Sequence, residues 1–146
     1  MANFTAISDY PAEFLRGWPV DGALELDFPI ASGQNLKAGQ TVILTTGGEV
    51  TVTTADTVRS GIVVRGNVDD KSVAASNKAL VLWGHYIVKL STKAADGLVD
   101  QTDKATFAFG DEVGGNAAGI WGYVTGGEGM ILEYNATAEY VVIAVK

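Results

Sequence analysis

The chain has 146 residues and no cysteine, with 17 acidic against 10 basic side chains and a net charge of −7. That length suits one ordinary domain with a buried core. The charge argues against nucleic acid or an anionic membrane surface as the main partner, because both need a basic face. The absence of cysteine removes disulfides, thiolate metal sites and a cysteine nucleophile. The lone His85 excludes a multi-histidine metal centre.

Residues 1–30 hold all three prolines (Pro11, Pro19, Pro29) and five large rings: Phe4, Tyr10, Phe14, Trp18 and Phe28. The opening residues lack a basic stretch followed by an apolar run, so a signal peptide is not expected. No segment approaches the roughly 20 apolar residues of a membrane helix, and a soluble chain made in the cytoplasm is expected. Ala12-Glu13-Phe14-Leu15-Arg16 allows at most one helical turn, closed by Gly17. Leu24-Glu25-Leu26-Asp27-Phe28 alternates apolar and acidic residues, as a half-exposed strand does. A segment with so little sheet pattern buries its rings only against the body or another chain, and Trp18 is the main candidate for the second role.

From Leu36 onward the two-residue period dominates. Thr41 to Thr45 and Glu49 to Thr53 predict a hairpin around Gly47-Gly48. Gly61 to Arg65 is the next strand. The apolar run from Ala79 to Leu90 is the strongest strand signal, with Gly84 read as a bulge or turn. A helical turn fits near Ala94 to Gly97. Short strands are expected at residues 105–109 and 119–124, and residues 130–134 and 140–145 close the chain as a hairpin. Short strands with regular turn signals predict an all-β barrel or sandwich.

One internal echo stands out. Leu36-Lys37-Ala38-Gly39-Gln40-Thr41-Val42 and Phe107-Ala108-Phe109-Gly110-Asp111-Glu112-Val113 share the spacing apolar-x-x-Gly-[Gln/Asp]-x-Val. Two readings stand side by side: duplicated half-barrels, or two independent uses of a common turn.

The chemistry-bearing residues are sparse. Gly114-Gly115 and Gly126-Gly127 lack the Lys-Ser/Thr of a phosphate loop and read as tight turns. His85 lies within a strand-like run and reads as a packed or interface imidazole rather than a general base. Asp69-Asp70 and Asp111-Glu112 are adjacent carboxylates, which face opposite sides of a strand and do not converge on one proton. Asp96, Asp100 and Asp103 lack calcium-loop spacing and read as solvated loop charge. No enzymatic activity, cofactor or metal is expected.

The acidic, cysteine-free, glycine-rich β pattern resembles the head decoration (capsid cement) proteins of tailed phages. The residues that carry the likeness are Leu36-x-x-Gly39-Gln40-x-Val42, Gly61-Ile62-Val63-Val64, Phe107-x-x-Gly110-Asp111-x-Val113 and the closing Leu132-Glu133-Tyr134 with Tyr140 to Val145. The resemblance covers residues 34–146. It implies a compact β-barrel or β-tulip body, commonly a homotrimer, on the outer surface of the virion capsid. It implies no catalytic motif. An N-terminal arm of such proteins often reaches onto the major capsid protein, and residues 1–33 suit that part as an extended, largely irregular arm. The candidate contact residues are Tyr10, Phe14, Leu15, Trp18, Leu24, Leu26 and Phe28, with residues 24–28 suited to joining a neighbour's sheet edge. Two other readings remain: a phage tail or fibre β module, and a carbohydrate-binding β domain using Trp83, Tyr86, Trp121 and Tyr123.

Overall fold

β-Branched and aromatic residues in short alternating runs, separated by glycine-bearing turns, leave the chain no long helical stripe to bury. The computed structural model describes residues 12–14, 24–68 and 77–146; of Glu13, Phe14 and Leu24 it describes the backbone alone. The strands are β1 (Ala12–Phe14), β2 (Leu24–Pro29), β3 (Thr41–Leu44), β4 (Val50–Val52), β5 (Gly61–Arg65), β6 (Lys78–Trp83), β7 (Tyr86–Ser91), β8 (Glu112–Gly115), β9 (Trp121–Tyr123), β10 (Gly129–Asn135) and β11 (Tyr140–Val145). Three short 3-10 turns lie at Ala94–Asp96, Asp103–Thr106 and Ala117–Gly119, and no α-helix occurs among the described residues. The protein is all-β, as its periodicity predicts.

The strands form two antiparallel sheets. One has six strands in the order β1-β7-β11-β10-β8-β9, the other five in the order β2-β6-β5-β3-β4. Neither is a closed barrel. A single parallel bridge joins Ile30, just past β2, to Val50 of β4, and another joins Val99 to Trp121 of β9. The three-residue strands β4 and β9 are too short to carry a continuous ladder around to the first strand of their sheet.

The two sheets are the same unit built twice. Strands β2 to β6 correspond in chain order to β7 to β11, with identical neighbours, and β1 is the one addition. The correspondence extends to single residues. Lys37 N–H donates to Gln40 Oε1 at 2.9 Å, and Ala108 N–H donates to Asp111 Oδ2 at 2.8 Å. Gly39 N–H donates to the Val63 carbonyl on β5, and Gly110 N–H to the Ile131 carbonyl on β10, each at 2.8 Å. Both glycines take positive φ, +94° and +89°. The bulge between Val63 and Arg65 recurs between Ile131 and Glu133. Before the last strand of each unit, Asn77 and Glu139 both adopt positive φ, and their carbonyls accept from Ile30 N–H and Thr92 N–H. Of the two readings of the sequence echo, the structure therefore supports the repeat: residues 24–83 form the first unit and residues 86–145 the second.

Each repeat has its own core at matching positions. Leu36, Val42, Val50, Val63 and Val81 in the first match Phe107, Val113, Trp121, Ile131 and Ile143 in the second, and all are buried. Full burial of such a side chain contributes about 1.5–3 kcal/mol each. Ile62 and Leu82, on the other face of the five-stranded sheet, join the second core and glue the repeats together.

Several local expectations change. Of the two readings of Gly84, bulge or turn, the structure has the turn: Gly84 (φ +95°) bends the chain from one sheet to the other, so the run forms two strands, β6 and β7, in different sheets. The segment expected as a strand near residue 105 is instead the 3-10 turn Asp103–Thr106, since the Asp100 carboxylate accepts from Thr102 and Asp103 N–H and winds the chain there. Gly114 and Gly115 are not a turn but lie in β8. A Cβ on Gly115 would fall 2.6 Å from Thr53 Oγ1, so glycine is required by the close approach of the repeats. The first hairpin forms as predicted, with Gly48 alone taking positive φ in its turn.

Candidate interaction surface

Residues 1–33 contribute two outer strands to the body. The alternation in residues 24–28 does build a strand, β2, and its partner is β6 of the same chain, with Leu24 opposite Trp83, Leu26 opposite Val81 and Phe28 opposite Ala79. Alternate side chains share a face, so Phe28 follows the apolar face of Val81 and Ala79. Its ring meets Trp83 edge-to-face with centroids 5.9 Å apart. Leu26 remains 44% exposed and Asp27 is exposed. Phe14 lies in β1 opposite Val88 of β7. Tyr10, Leu15 and Trp18 lie outside the described residues. Of the seven predicted contact residues, the structure thus brings Leu24, Leu26 and Phe28 together on one outer strand and sets Phe14 on another.

A second exposed apolar surface has no counterpart among those seven. Phe109 is 76% exposed and Met130 40% exposed. Beside Met130 an open cleft of about 380 Å³ is lined by Gly110, Glu112, Ala144, Val145 and Lys146. The matching face of the first repeat, Gly39, Ile62 and Leu82, is covered by the second repeat together with β1. There Leu98 and Ala12 come against Gly39, and Trp121 Nε1 donates to its carbonyl at 3.0 Å. The repeats therefore stack so that one such face is used and the other is open. The residue-by-residue match of the two turn units is the sequence signal for this surface.

The remaining polar candidates are engaged in holding backbone. Asp111 Oδ2 accepts from Ala108 N–H and from Tyr123 Oη–H at 3.0 Å, while Glu112 Oε2 accepts from Gly126 N–H at 2.8 Å, so these neighbouring carboxylates serve separate loops. Asp103 Oδ2 accepts from Tyr123 N–H at 2.9 Å. Asp96 accepts from the Ser91 hydroxyl, and its carbonyl accepts from Lys37 Nζ. Asp69 and Asp70 lie outside the described residues. Among the described residues no three side chains form a metal-binding group. His85 is exposed in the bend between the sheets. Its field, together with Arg59 at 3.6 Å and a Ser60 backbone hydrogen bond, opposes the burial that raises the Glu128 carboxyl above its ordinary range.

The four aromatics of the sugar-binding reading do not form a common platform. Trp121 is 1% exposed and Tyr86 is buried, while Tyr123 is half-buried against Phe107. The chain matches no known protein-family profile and no curated protein. Among the described residues, no helix is long and apolar enough to cross a membrane.

Proposed function

We propose that this protein is a virion structural component, a decoration protein that binds the outside of an icosahedral phage capsid and stabilises the expanded shell. The observation that carries the reading is the turn unit on which the sequence resemblance rests. It is a real hydrogen-bonded element, it occurs twice, and each copy launches a strand into a sheet. A body built this way presents outer strands and an open apolar face, which suits adhesion to a large protein surface. Binding the expanded shell alone stabilises it by mass action, and many copies add up. The major capsid protein is the partner in this reading, and the protein acts as a homotrimer without cofactor or catalysis. The net negative charge keeps copies soluble before assembly.

The test is co-sedimentation of purified protein with expanded and unexpanded shells, followed by a cryo-electron map. Density at the outer shell surface, with no binding to the unexpanded form, is the expected result. Density confined to a tail would replace this reading by the tail-module one. Absence from purified particles would remove both.

A further inference from the structure

The same turn contact is made in one repeat and left unmade in the other. Gly39, in the turn of the first repeat, is buried, and its carbonyl accepts from Trp121 Nε1 at 3.0 Å. Leu98 and Ala12 stand against this glycine, so that a Cβ on it would fall 2.8 and 2.9 Å from them. Gly110 is the matching residue of the second repeat and shares the positive φ. It is exposed, a Cβ on it would meet nothing within 4 Å, and among the described residues nothing donates to its carbonyl. Beside it Met130, 40% exposed, takes the place of the fully buried Ile62, and Phe109, 76% exposed, takes the place of Ala38. Large apolar groups gathered at one place on a surface mark a contact site. The chain that builds and flanks this face, residues 107–115 and 124–146, is described throughout.

We propose that the cleft beside Gly110 and Met130 is a docking site for a tryptophan-bearing segment of another protein, whose indole N–H donates to the Gly110 carbonyl while its ring and aliphatic neighbours cover Met130 and Ala144. The occupant is read from the covered face. There an indole supplies the donor and aliphatic side chains supply the cover, on a turn held by the same hydrogen bonds. The cleft, about 380 Å³, has room for an indole. A plain aromatic ring laid over the Gly110 carbonyl would strip its water and return no hydrogen bond. An indole, apolar in body with a donor at one edge, does both jobs. This chain's described indoles do not serve: Trp121 is 1% exposed and already donates, and Trp83 Nε1 is buried in its own sheet. Nor does a second copy fit by repeating the internal stacking with its first repeat. Leu44 there stands where the internal contact requires Gly115, and Val50, whose side chain has no donor, stands in the place of Trp121. The site stands on the repeat and not on the capsid reading.

The test titrates the full chain, isotope-labelled, with a short synthetic peptide that carries one tryptophan between leucines. Two control peptides carry a methyl group on the indole nitrogen, or phenylalanine in place of the tryptophan. The tryptophan peptide is expected to shift the backbone amides of Gly110, Asp111, Met130 and Ile131 and to bind about fivefold more tightly than either control. Met130→Lys, at a partly exposed position, is expected to keep its Tm and abolish the shifts. Phe109→Ser is expected to weaken them, and it carries the test where Met130→Lys does not fold. Absence of shifts, equal affinity for the three peptides, or full binding by both variants would overturn the proposal. So would concentration-dependent shifts of these amides in the protein alone, which would mark a second copy as the occupant. Trp18→Phe is expected to leave the Gly110 and Met130 amides of the free protein in place; displacement of both would make residue 18 of this same chain the occupant and overturn the proposal as well.

Discussion

Gly115→Ala adds one methyl group at the tightest contact between the repeats. The new Cβ would lie 2.6 Å from Thr53 Oγ1, 2.7 Å from Thr41 Oγ1 and 2.7 Å from Thr53 Cγ2. Neither threonine is free to move aside. Thr53 Oγ1 donates to the Asn116 carbonyl at 2.7 Å, and Thr41 Oγ1 lies 2.7 Å from Thr53 Oγ1, with both residues buried. Overpacking of this kind costs about 1–3 kcal/mol. Disrupting the buried hydroxyl pair costs about 1–3 kcal/mol more. Stiffening the unfolded chain returns about 0.4–1 kcal/mol. The net destabilisation is about 1–5 kcal/mol, or a fall in Tm on the order of 3–20 °C for a domain of this size. Urea denaturation and calorimetry measure it, with Gly47→Ala as control, where the nearest atom would be 3.5 Å away and no change beyond about 0.5 kcal/mol is expected. The cost should shrink in a Thr53→Ala background, because the two sites are in contact. A Gly115→Ala protein within about 0.5 kcal/mol of the parent would refute the idea that this glycine is held by close approach.

Trp121→Phe leaves the Gly39 carbonyl without its indole donor and should cost about 1–3 kcal/mol by chemical denaturation. Burial, with the Glu128 charge adding, holds the Tyr86 phenol protonated far above its usual range. The folded state keeps a proton that the unfolded chain releases near pH 10, so stability falls as the pH rises above about 10. Alkaline melts should show that loss, and Tyr86→Phe should flatten it. Deleting residues 1–30 removes β2 and the buried Ile30 and uncovers Val81 and Ala79; a loss of at least about 3–5 kcal/mol is expected in the same denaturation assay.

Much of the fold was legible because period-two alternation reports a half-buried strand directly. Thr41 to Thr53, residues 130–145 and residues 24–28 all became strands. What the alternation does not carry is which sheet a strand joins. The run from Ala79 to Leu90 is mostly apolar on both sides of Gly84-His85, and that bend separates its two sheets. Glycine is equally silent about its reason: Gly115 is small because Thr41 and Thr53 stand against it, and those residues are distant in sequence. For the candidate surface, Leu26 and Phe28 were visible as the apolar side of a strand. That β6 supplies the partner on one side was not, since backbone hydrogen bonding leaves no trace in side-chain order. The open face at Met130 was hidden for a different reason. It is exposed only because the equivalent face is taken, which is a property of the stacking of two units.

The two-residue bend at Gly84-His85 has a consequence for assembly of the fold. Each repeat is continuous in the chain, so nearly all its strand pairs close locally before the other unit is needed. The second unit then starts within one step of the first, at an effective concentration that freely diffusing fragments cannot reach. The junction, which joins Ile62, Leu82 and the Trp121 indole to the Thr57–Gly115 backbone bridge and the Thr53–Asn116 hydrogen bond, forms readily under that tether. Cut the chain between Gly84 and His85, and the same contacts must also meet the entropy of bringing two bodies together.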